Sequence, residues 1–264
     1  MRYLLIATSL LSLVACKKIK LAQKEETNPA GTAYVKIGYF SQYTAANNVG
    51  VQLKFDNNRV STLFTSPTPY PGGGFNTGGN SFADYLSVAP GARNMILSVP
   101  NANTANDSVM RFNGTVNLTA NVRQTVMLTD TGSNTQATVI QDDITPPETP
   151  GNFARAKFFN GMPGSTLDLY IRSSTGIMNA ATNVAYKGVS SYFDFSAGVS
   201  NDTLDVVPTG TTYTSSTTPL ARYVWTQSNI VIGRVYTILS AGYPSISYTG
   251  TDNRRARVSV VLNR

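Results

Sequence analysis

Between positions 33 and 264 the chain alternates apolar and polar residues in short runs. Val51, Leu53 and Phe55 repeat with period two, as do Leu167, Leu169 and Ile171, and Ala256, Val258, Val260 and Leu262. Runs of this kind, rich in Val, Tyr, Thr and Phe and bounded by Gly, Asn, Asp and Pro, predict antiparallel strands. No window past the N-terminal segment carries an amphipathic helical period. The predicted class is all-β.

The pattern occurs twice. Ala33-Tyr-Val-Lys-Ile-Gly-Tyr-Phe aligns with Ala154-Arg-Ala-Lys-Phe-Phe-Asn-Gly, and "VGVQLKFDNN" with "STLDLYIRSS". "YLSVAPGARNMILSVP" aligns with "YFDFSAGVSNDTLDVVP", pairing Tyr85 with Tyr192 and Gly91 with Gly198. "VRQTVMLTDTG" aligns with "IGRVYTILSAG", and "RARVSVVLN" has a shorter counterpart in "TQATVIQDD". About six or seven strands in roughly 110 residues are the dimensions of an immunoglobulin-like sandwich, with an up-and-down barrel as the competing architecture. Two tandem immunoglobulin-like antiparallel β-sandwich domains are therefore expected, at 33–140 and 153–264. "QDDITPPETPGN" at 141–152 reads as a Pro-rich, semi-rigid linker.

The N-terminus follows different rules. Arg2 precedes a stretch from Tyr3 to Val14 that is apolar but for Thr8, Ser9 and Ser12, and too short for a membrane-spanning helix, which needs roughly 20 residues. It has the length and charge order of a secretory signal peptide over 1–15. Leu13-Val14-Ala15-Cys16 holds the chain's one cysteine and resembles a bacterial lipobox. That resemblance implies acylation of the Cys16 thiol, cleavage before it, and membrane attachment through the acyl chains. An ordinary signal peptide cut near Ala15 is the alternative. Residues 16–32 then form a flexible tether. Outer-membrane attachment is expected because Lys17, not aspartate, follows the cysteine; periplasmic face or cell surface is left open.

The order "ARAKFFNGMPGSTLDLYI", followed by a Tyr, an "AG" and a strand, resembles the bacterial domain of unknown function 4397. Phe159, Asn160, Pro163, Asp168 and Tyr170 stand at its marked positions; in the first half Gln52 replaces the aspartate. Such motifs are fold markers, so the resemblance implies a β-sandwich envelope lipoprotein of Bacteroidota type and no activity.

Charge changes the picture little. The net charge is +7, but five of the 21 basic residues lie before position 33, and the remainder are dispersed. Nucleic-acid binding would call for a clustered basic face. Arg254-Arg255-Ala256-Arg257 reads as the polar edge of a final strand.

The residue inventory argues against catalysis. The chain has no histidine, so Ser-His-Asp triads, Cys-His dyads and imidazole metal sites do not arise. Glutamate occurs only at 25, 26 and 148, which leaves Asp168, Asp194, Asp202 and Asp205 as acid candidates; turn or solvent-face roles are expected of them. Asp142-Asp143 lacks a calcium-loop pattern and reads as linker polarity. No catalytic residue, cofactor or metal is assigned.

The candidates that remain concern binding and modification. An insertion in the first half, "PYPGGGFNTGGN", places Phe64, Tyr70 and Phe75 in or beside a Gly/Pro-rich loop, while Trp225 sits in a Ser/Thr-rich connection. Displayed aromatics stack on sugars, whereas aromatics folded back onto the sandwich simply pack. Asp107-Ser108-Val109 and Asp202-Thr203-Leu204, both in predicted loops, resemble the acceptor of Bacteroidota periplasmic O-glycosylation at Ser108 and Thr203. The functional expectation is a noncatalytic lipid-anchored envelope protein that binds a glycan or another envelope protein, or serves a structural role. The alternative is a glycan-binding accessory lipoprotein of a polysaccharide-uptake system.

Overall fold

A computed structural model describes residues 31–41, 49–71, 84–102, 104–131, 134–149 and 151–264. The expected signal peptide over 1–15, Cys16, most of the expected tether over 16–32, and Phe75 lie outside the described residues.

The chain is an all-β sandwich protein, with four sheets among the described residues. In the first half, β1 (Ala33–Tyr39) lies between β8 (Arg123–Thr129) and two short strands, β4 (Thr68–Tyr70) and β5 (Leu86–Val88). The strand β9 (Gln136–Gln141) closes that sheet beyond β8. The facing sheet runs β3 (Asn58–Arg59), β2 (Gln52–Phe55), β6 (Gly91–Pro100) and β7 (Asp107–Leu118).

The second half repeats the path. One sheet runs β13 (Phe193–Ser196), β10 (Phe153–Asn160), β16 (Val235–Ala241) and β17 (Arg257–Leu262). The other runs β12 (Gly176–Val184), β11 (Leu167–Ser173), β14 (Asp202–Pro208) and β15 (Ala221–Trp225).

Two features depart from an antibody-like sandwich. Among the described strands, pairing is antiparallel except where β1 meets β8 and β10 meets β16, which run parallel; an isolated bridge between Tyr243 and Arg255 is parallel too. The first and second strands of each half lie in different sheets, whereas immunoglobulin domains keep them together.

Alternation explains the two interiors. Val35, Ile37, Leu53, Phe55, Leu97, Val126 and Leu128 pack between the first pair of sheets. Phe158, Leu169, Ile171, Leu204, Val206, Trp225, Tyr236 and Ile238 pack between the second pair. A third cluster unites both halves: Phe40, Met127 and Ile140 meet Phe159, Leu239, Ala241 and Val261. These residues sit on the opposite faces of β8, β9, β10, β16 and β17 from the sandwich interiors. Phe158 and Phe159, adjacent in sequence, are both fully buried, one in each cluster. The two inner sheets are thus covered on both faces, and the molecule is four layers of sheet. Each large side chain buried there contributes roughly 1.5–3 kcal/mol.

The segment after β9 lies along the second half. The Asp143 amide donates to the Tyr192 hydroxyl (3.0 Å), and the Thr149 amide and hydroxyl donate to Asp194 (2.9 and 2.8 Å). Arg264 donates to the Ile144 carbonyl (3.0 Å). Expected as a semi-rigid linker, the segment is fastened because Thr149 finds Asp194 on β13, the Asp143 amide finds Tyr192 beside it, and Glu148 pairs with Arg155 of β10 (3.3 Å).

Candidate functional site

At the junction of the halves, two lysines sit at equivalent places. Lys36 on β1 pairs in register with Thr125, and Lys157 on β10 with Thr237. Both side chains point between the inner sheets and are almost fully buried. The Lys36 ammonium donates to the Leu262 carbonyl at the end of β17 (2.5 Å). Lys157 mirrors it, donating to the Gln141 carbonyl at the end of β9. Lys36 lies 4.6 Å from the ring centre of Tyr85 and Lys157 5.3 Å from that of Tyr192, within cation–π range.

One residue breaks the symmetry. After Gln141 comes Asp142, whose carboxylate pairs with Lys157 (2.9 Å) and accepts from Thr125 (2.5 Å) and Tyr85 (3.2 Å). After Leu262 comes Asn263, whose amide donates to Thr237 (2.7 Å) and whose Oδ1 has no hydrogen-bond partner among the described residues. Burial lowers the Lys36 pKa to about 8, against the opposing pull of Asp142 and Asp84. Burial, with the Asp142 carboxylate alongside, raises the pKa of the Tyr85 phenol. The reading of Asp142 as linker polarity is therefore corrected: it is 4% exposed because the end of β9 turns it into the junction.

The other acids are also occupied by the fold. Asp168 accepts from the Asn183 amide (2.7 Å) and the Thr209 hydroxyl (2.8 Å). Asp205, fully buried, is gripped by Arg222 (2.6 and 2.9 Å) and Arg172 (3.2 Å), and accepts from Tyr213. These are not the solvent-face carboxylates expected, because the connection over 209–220 brings Thr209 onto Asp168 and Tyr213 onto Asp205, where the two arginines also close in. Asp202 starts β14 rather than standing in a turn; burial pushes its pKa up to about 6.

Asn160 shows what a fold marker does. Its amide nitrogen donates to Ser165 and Val184 carbonyls (both 2.8 Å), and its oxygen accepts from the Met162 amide (3.0 Å) and Ser240 (3.1 Å). In the first half Gln52, in place of Asp168, donates to Ala105 and Asp107 (both 2.9 Å).

The aromatic candidates turn inward. Phe64 is bridged to Val51 and buried, edge-on to Tyr39 and stacked at 5.1 Å on a half-buried Tyr70. Trp225 is fully buried against Tyr236 (4.8 Å) and Phe195 (5.5 Å). A Ser/Thr-rich flank masked the fact that Trp225 ends a strand whose face meets the core. Neither Phe64 nor Trp225 is displayed for a ligand.

The two modification candidates lie on strands instead of loops. Ser108 is exposed on edge strand β7, because the β6–β7 hairpin closes further out, at Pro100 and Asp107. Thr203 is half-buried on β14, paired on both sides by β11 and β15.

A further cluster draws on distant segments. Arg222 of β15 and Arg255 and Arg257 beside or on β17 line one cleft of about 240 Å³ with Tyr248, Ser259 and Pro67. The arginine run was legible, but the arrival of Arg222 was not, since it lies 32 positions before Arg254. The junction lysines did leave a signal: Lys36 and Lys157 stand at matching positions of the two opening strands, each between two apolar residues.

No helix among the described residues is long and apolar enough to cross a membrane, and none of their His, Cys, Asp and Glu form a group of three placed for a metal.

No family model and no curated protein matches this sequence. Among solved structures, the Bacillus anthracis TIE protein is 8% identical with a TM-score of 0.22, covering 79% of this chain and 33% of that one. The chain thus spans about a third of that structure's length. A fimbrial assembly protein from Parabacteroides distasonis is 13% identical with a TM-score of 0.21, covering 88% and 94%. At such scores neither superposition bears on function.

Proposed function

We propose that the chain is a noncatalytic envelope protein, anchored to the outer membrane by lipid on Cys16, whose stacked sandwiches serve a binding or structural role. One observation carries the noncatalytic part. The acids Asp142, Asp168, Asp194 and Asp205 each accept structural hydrogen bonds, and Asp142 and Asp205 also hold ion pairs. Groups so occupied are poorly placed to exchange protons with a substrate. The lipobox-like Leu13-Val14-Ala15-Cys16 and the resemblance to domain of unknown function 4397 support the anchored reading.

Metabolic labelling with an alkynyl fatty acid tests the anchor. The wild-type chain incorporates label and partitions with membranes, whereas Cys16→Ala does neither. Equal labelling of both would remove the lipoprotein reading. Protease shaving of intact cells then separates surface from periplasmic display.

A further inference from the structure

The cleft at the β15–β17 edge carries charge that the protein does not neutralise. Arg222 is committed to Asp205 through Nε and Nη2. Among the described residues, the Arg255 and Arg257 side chains donate to backbone oxygens, the carbonyls of Asp252 (3.2 Å) and Asn253 respectively. Among the described residues, no carboxylate forms an ion pair with either. The one acid in the neighbouring turn, Asp252, is taken by Arg254 (2.8 Å).

The wall is also built for donation. Arg255, Ala256, Arg257, Val258 and Ser259 are consecutive, so one wall of the cleft is the stretch that leads into β17 and its first residues. The Arg255 and Ala256 amides are taken by the Asp252 and Ile246 carbonyls, but from Arg257 on β17 ends its sheet, so alternate backbone groups point away from β16, its one ladder partner among the described residues. Ser259, itself buried, and Tyr248 add hydroxyls to the lining. Burial and the nearby Arg255 charge lower the Arg257 pKa to about 10, which marks a cation held without compensation. Convergent guanidinium groups with hydroxyl donors are the chemistry that recognises sulfate and phosphate.

We infer that this cleft binds a tetrahedral oxyanion, sulfate or phosphate, through Arg255 and Arg257, with Arg222 as the far wall. The inference stands apart from the anchoring and noncatalytic readings, since it concerns the folded domains alone. The same group occurs on a modified saccharide or a lipid headgroup, and both sources present the chemistry the cleft selects.

The test uses the purified chain from residue 17 onward, titrated with sodium sulfate and sodium phosphate by NMR at constant ionic strength set with chloride. Saturable shifts at the Arg255–Ser259 amides are expected, with affinity reduced at least tenfold in Arg255→Gln. Arg255 is the chosen position because its side chain is half-exposed and holds no carboxylate. Arg254→Gln, outside the cleft, should retain wild-type affinity. Absence of saturable shifts in the wild type, or equal affinity in Arg255→Gln with an unchanged spectrum elsewhere, overturns the inference. Co-sedimentation with phosphatidylglycerol vesicles then distinguishes the sources. Sulfate-reversible sedimentation identifies headgroup phosphate; anion binding without sedimentation identifies a soluble or saccharide-borne anion.

Discussion

Lys36 and Lys157 make the same journey from equivalent strands into the same junction, and meet different neighbours. Lys157 finds a carboxylate on Asp142; Lys36 finds a backbone carbonyl and the face of Tyr85 beside an asparagine. Two buried ammonium groups thus share one buried acid. The duplicated geometry fixes where the lysines lie, while a single position after the last strand of each half decides whether each cation is paired. A repeat can therefore preserve shape and still place charge asymmetrically.

The largest effect should come from breaking the paired side. Asp142→Asn leaves Lys157 buried without its counter-ion, which typically costs about 3–5 kcal/mol. Urea unfolding at pH 7 should show a midpoint lowered accordingly. A change within error would mean that Lys157 escapes to solvent and that the junction is looser than its burial implies.

The unpaired side should show itself through pH. Lys36 is held near 8 when folded and returns toward 10.5 when unfolded, so between these values the unfolded chain binds more protons. Stability therefore rises as pH climbs from about 8 to 9.5, by up to about 2 kcal/mol over that span. Tyrosines, deprotonating above 10 in the unfolded chain, oppose the trend beyond that point. Lys36→Met should flatten the rise. A wild-type profile already flat across the window would show that Lys36 is not buried as a cation.

The smallest effect at pH 7, under about 1 kcal/mol, is expected from Asn263→Asp, since a new buried pair gains in attraction roughly what it loses in hydration. Its signature is the loss of the rise above pH 8, because a carboxylate at the end of β17 favours the charged lysine. Persistence of that rise would show that position 263 does not face Lys36.

Much of the layering was legible in the chain. Val51, Leu53 and Phe55 alternate because one face of β2 meets a core, and the repeat of that pattern near 167 foretold a second sandwich. The junction was not legible. In "FARAKFFN" both faces are buried, so Lys157 and Phe159 occupy positions that alternation assigns to solvent. Single-strand periodicity reports one buried face and cannot register a second sheet packed on the other. The same limit hid Asp205 beneath Tyr213 and its arginines. The misplaced Ser108 has a local cause: Asn-Asp-Ser reads as a turn, yet the hairpin extends through it.

The cluster of Phe40, Met127, Phe159, Leu239 and Val261 has a mechanical consequence. Proteins that capture ligands by closing two lobes need a compliant hinge between them, and here that place is filled with dry side chains and flanked by the fastened segment over 142–149. Bending would require peeling one sheet from another across their whole contact. The molecule should transmit load as a stiff beam, and whatever it binds must be met by surfaces already in position.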